Sequence, residues 1–70
     1  MNDHEFLTII HHEFESNKSD KIKLEALLRQ LEARFDIPEL LRLGYNTTLL
    51  SSDLRALKLY HKISEELKRH

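Results

Sequence analysis

The chain contains no cysteine and no tryptophan, and its 70 residues include one glycine and one proline. Without cysteine there is no disulfide, no thiolate zinc site and no cysteine nucleophile. A single glycine excludes a phosphate-binding loop or a dinucleotide fingerprint, which need several glycines where backbone approaches phosphate. No apolar run approaches the ~18–20 residues of a membrane span, and the first residues lack the basic and apolar regions of a signal peptide. A cytoplasmic protein with no membrane contact is therefore expected. Charge of one sign is also lacking, since 11 basic and 12 acidic side chains leave a formal net charge of −1. A free-standing nucleic-acid binder carries a stronger basic footprint, so nucleic acid is not the expected partner.

What the chain does have is helical periodicity. In Ile22–Phe35, Leu24, Leu27, Leu28, Leu31 and Phe35 recur at i, i+3, i+4, i+7 and i+11, one face of a helix. Lys21, Glu25, Arg29 and Glu32 fall off that face, with Lys21/Glu25 and Glu25/Arg29 spaced for ion pairs one turn apart. Before it, Asn2 and Glu5 have capping-box spacing ahead of an apolar face of Phe6, Leu7, Ile10 and Phe14, with Ile9 at the edge. The polar segment 16–20 ends that first helix, and Ser19 or Asp20 can cap the second. Asp36 and Glu39 repeat the capping-box spacing around Pro38, and Gly44 follows Leu43 where a left-handed C-terminal residue is expected. Thr48, Ser51 or Ser52 can cap a last helix whose stripe is Ala56, Leu57, Tyr60, Ile63 and Leu67, flanked by Leu54 and Leu59.

The pattern predicts an all-α fold. A single domain over 1–70 forms a small antiparallel helical bundle with three longer helices and one short one, at about 3–15, 20–35, 37–43 and 52–68. At this size one core rarely supplies more than ~3–5 kcal/mol of net stability, and small domains without disulfides often gain the rest by association.

Leucines between 40 and 59 outnumber the inward positions that a two-turn helix and its loop can offer. The functional expectation follows from that surplus. The protein is expected to be a small non-enzymatic helical protein of regulatory or adaptor type, acting through protein–protein contact and forming a homodimer. The contact is expected on Leu41, Leu43, Leu49, Leu50 and Leu59, with Tyr45 at the rim. No cofactor and no metal are expected. The alternative is a small enzyme or metal-binding protein. His4, His11 and Glu15 lie near one face of the first helix, and an HxxxE pair has chelating spacing. The Ser51–Arg55 region is the other candidate for chemistry. Residues 53–70 carry Arg55, Lys58, Lys62, Lys68 and Arg69 against Asp53, Glu65 and Glu66, a net of +2. Such a face suits an acidic protein surface better than DNA.

Short stretches resemble known small bacterial proteins. Leu59-Tyr60-His61-Lys62-Ile63 resembles part of the haemolysin-expression-modulating proteins, which implies binding to a nucleoid protein. Ser51-Ser52-Asp53-Leu54-Arg55 resembles the SQELD motif of small sporulation aspartyl-phosphate phosphatases, with Arg55 where that motif ends in an acidic residue. The helix order is similar to that of the immunity proteins of lactic-acid-bacterial bacteriocins. Each likeness spans five residues or an outline, and together they give the sequence a bacterial or phage-like character.

Overall fold

The computed structural model describes residues 1–44 and 48–70. Among the described residues four helices follow one another: α1 (Asp3–Ser16), α2 (Lys21–Arg34), α3 (Ile37–Leu43) and α4 (Ser51–Lys68). Among the described residues there is no strand. The all-α bundle expected from the periodicity is the fold.

Local chemistry explains most of the helix ends. Asn2, Asp20 and Asp36 each accept a hydrogen bond from the backbone N–H three residues on, at 2.9, 3.1 and 3.3 Å. These bonds satisfy N–H groups that have no partner inside the helix. At the end of α3, Gly44 takes φ 66° and ψ −170°, and its N–H reaches Leu40 O at 2.9 Å. That backbone region is essentially restricted to glycine, and another residue there would be strained by about 1–3 kcal/mol.

Two local expectations fail. α4 starts after Leu50 with no side-chain cap, so neither Thr48, Ser51 nor Ser52 serves. Ser51 instead turns its hydroxyl to the His4 ring, 3.3 Å away. Nor do the Lys21/Glu25 and Glu25/Arg29 pairs form ion pairs among the described residues. Solvated side chains one turn apart gain too little to hold a fixed geometry.

Among the described residues, thirteen buried apolar side chains make the core: Leu7, Ile10 and Phe14 from α1, Leu24, Leu27 and Leu31 from α2, then Phe35, with Ile37 and Leu40 from α3 and Ala56, Leu57, Leu59 and Ile63 from α4. Phe6, Leu28, Leu49, Tyr60 and Leu67 pack against it half-buried. α4 is the central element, packed against each of the other three helices. Its buried face is wide for that reason. Leu57 and Leu59 lie about 160° apart at 100° per residue, and both are enclosed.

Long-range contacts set the helix directions. Arg34 at the end of α2 meets Asp3 at the start of α1 at 2.9 Å, and Lys23 meets Glu13 at 3.1 Å, so α1 and α2 are antiparallel. By contrast His4 meets Ser51 at one end of α1 and α4, while the His70 ring meets Lys18 O at 2.9 Å at the other. The bundle therefore runs up, down, up, and its first and last long helices are parallel neighbours. This is the expected antiparallel bundle, in which three long helices alternate in direction and the first and third run parallel.

Arg34 also closes one corner of the bundle. Its guanidinium donates to Met1 O at 2.8 Å and lies over the Phe6 ring at 4.8 Å, and Phe6 in turn sits 6.3 Å from Phe35.

Tyr60 ties α4 to α2 by donating its hydroxyl to Glu32 at 3.3 Å. Burial pushes its phenol above the ordinary tyrosine range, and the charge and hydrogen bond of Glu32 push the same way. Folding therefore favours the protonated phenol. Its contribution is full below the unfolded value of about 10 and is lost as pH rises through the folded value. Tyrosinate absorbance should show this phenol ionising later than free tyrosine, and Tyr60→Phe should lessen the alkaline loss of stability. A Tyr60 that titrates like free tyrosine would contradict this environment.

Candidate functional site

Two surfaces follow from this architecture. The first lies where α3 gives way to α4. Of the residues expected to form a contact there, Leu41 and Leu50 are open to solvent, 58% and 73% exposed. Leu43 is half-buried, and Leu49 is half-buried against the core. Tyr45 lies outside the described residues. Leu59 is corrected: it is 4% exposed and belongs to the core. Its position reflects the breadth of cover on α4, where α1 encloses a flank that a two-helix contact would leave open. Ile9 and Ile22 are further exposed apolar side chains. Ile22 falls off the Leu24–Leu27–Leu31 face that α2 buries.

The second surface is the seam between the parallel helices α1 and α4. At its upper end Arg55 reaches across. Nη1 donates to His4 O at 3.0 Å and stands 3.4 Å from His4 Nδ1, while Nη2 donates to the Thr8 hydroxyl at 2.9 Å. Thr8 in turn donates to His4 O at 2.9 Å. One turn further along, His11 Nε2 and Lys18 Nζ approach the Glu15 carboxylate at 3.6 and 3.1 Å. The hydrogen bond from Lys18 holds that carboxyl below its ordinary range. Desolvation opposes the shift, and the charges of Lys18, His11 and Lys62 add to it.

This arrangement unites the two halves of the alternative function. His4 and the Ser51–Arg55 segment, 47 residues apart at His4 and Ser51, form one cluster. The two ring nitrogens of His4 face different partners, Nδ1 the Arg55 guanidinium and Nε2 the Ser51 hydroxyl. His4, His11 and Glu15 do not converge. His4 is engaged by Ser51 and Arg55, and among the described residues no three His, Cys, Asp or Glu side chains are grouped to hold a metal.

Below this cluster two shallow clefts adjoin, sharing His11 and Arg55. The larger, about 340 Å³, is lined by Thr8, His11, His12, Glu15 and Arg55. The other, about 170 Å³, is lined by His11, Arg55, Lys58, Leu59 and Lys62, with no acidic side chain. The sequence shows the basic residues on α4, but not that α1 borders them.

Among the described residues no helix is long and apolar enough to cross a membrane. The chain matches no family model, no curated protein and no solved structure.

Proposed function

We propose that the protein is a non-enzymatic helical adaptor or regulator that works by docking, and that its first partner is a second copy of itself. The exposure of Leu41 and Leu50 beside a complete core carries this proposal. Thirteen apolar side chains already fill the interior, so these two leucines are not needed to close it. Each keeps apolar surface in water that association would remove, and a twofold contact lets such a surface cover itself. Among the described residues the buried interior is wholly apolar.

Sedimentation over a hundredfold concentration range is expected to show a dimer that dissociates on dilution to the 8.4 kDa chain. Leu50→Glu should abolish the dimer and leave the helical circular dichroism intact, because the side chain it replaces lies outside the core. A single 8.4 kDa species at every concentration would overturn self-association.

A further inference from the structure

We propose that the α1–α4 seam is a binding site for an acidic helical segment of a protein partner, held by Arg55, Lys58 and Lys62. This site goes beyond the leucine surface and does not rest on it.

The charge pattern singles the seam out. Among the described residues, six of the eleven lysines and arginines are held in ion pairs: Lys18 with Glu15, Lys23 with Glu13, Arg34 with Asp3, Arg42 with Glu39, Lys68 with Glu65 and Arg69 with Glu66. Arg55, Lys58 and Lys62 form no salt bridge among the described residues, nor do Lys21 and Arg29. But Arg55, Lys58 and Lys62 share one cleft whose lining contains no acid, with Lys62 within Coulombic reach of Glu15 at its edge. Their spacing is i, i+3, i+7 on α4. That places three cations on one side of the helix over about 10 Å, at 1.5 Å rise per residue.

Arg55 is also oriented in advance. Its Nη1 and one N–H of Nη2 are engaged by His4 and Thr8, which fixes the guanidinium against α1. Nε–H and the second N–H of Nη2 have no partner among the described residues. Together they form the side-on fork that matches a carboxylate in a bidentate contact. Lys58 and Lys62 are exposed point charges that suit single carboxylates further along. The edge of Leu59 lines the same cleft and offers a small apolar contact.

The occupant follows from these complements. A partner helix with Asp or Glu at i, i+3 and i+7 repeats the cation spacing, so each carboxylate meets one cation. A nucleic-acid backbone is the poorer match. At the lower end of the seam Glu15, Glu65 and Glu66 join the lining, and their charges would repel a phosphate chain running on past Lys62. A short acidic segment stays clear of Glu65 and Glu66, while Glu15 lines the adjoining cleft beside Arg55.

The probe is a labelled alanine-rich helical peptide with three glutamates at i, i+3 and i+7, titrated by fluorescence anisotropy at low ionic strength. Saturable binding that weakens as salt rises is expected. The double variant Lys58→Gln, Lys62→Gln should weaken it about tenfold, the effect of two exposed ion pairs. The control variant Lys68→Gln, Arg69→Gln should leave it unchanged, because those cations already have partners. Leu50→Glu should also bind normally, which separates this site from the dimer contact. Failure to bind the peptide would overturn the proposal. So would equal binding of a peptide with its glutamates on different faces, tighter binding of a single-stranded oligonucleotide, or complete competition by inorganic phosphate.

Discussion

Leu31→Ala is expected to leave little folded protein at room temperature. Leu31 is 0% exposed and sits on the face of α2 that meets the core. Removing most of its side chain loses the transfer free energy of the missing atoms and leaves a cavity that close-packed neighbours fill only in part. Such substitutions cost about 2–5 kcal/mol. A single core in a chain of this length supplies a net of only ~3–5 kcal/mol, so the loss is comparable with the whole. Leu28→Ala is the matched control. The periodicity places Leu28 and Leu31 on the same stripe, but Leu28 is only half-buried. Its loss should therefore be smaller. Urea titrations followed by circular dichroism will rank the pair, and equal midpoints would show that the buried face of α2 is assigned wrongly.

Ala56→Asp should be as damaging by a different route. Ala56 is 0% exposed on the helix that touches all three others. A carboxylate there would be buried in a core without a buried polar partner. A buried charge left without a partner costs about 3–5 kcal/mol, and protonation would replace that cost with that of an apolar site holding a carboxylic acid. Lys58→Asp, two residues on and in solvent, introduces the same carboxylate and should leave the fold near wild-type stability. If both variants melt alike, α4 does not occupy the centre of the bundle.

The contrast between neighbouring positions shows what was legible in the amino-acid order. Helix existence and extent were, because they rest on local rules. A side chain at Asn2, Asp20 or Asp36 caps an N–H three residues away, and the 3.6-residue period puts Leu24, Leu27 and Leu31 on one face whatever lies opposite. Gly44 is of the same kind, since its left-handed backbone depends on the absence of a side chain at that residue alone.

Only the tertiary structure decided which faces were shared and between which helices. Periodicity marks a stripe but not the width of the cover over it, so Leu59 turned from an expected contact residue into a core residue and Leu28 moved to the core's margin. Ser51 was a candidate cap until α1 brought His4 beside it. The Arg34 clamp and the Arg55 bridge join residues 31 and 51 positions apart in the chain. No local spacing encodes such pairs. They arise because up, down, up packing of three long helices on one core sets α4 beside α1 in parallel, which brings His11 alongside Arg55, Lys58 and Lys62 in a single seam.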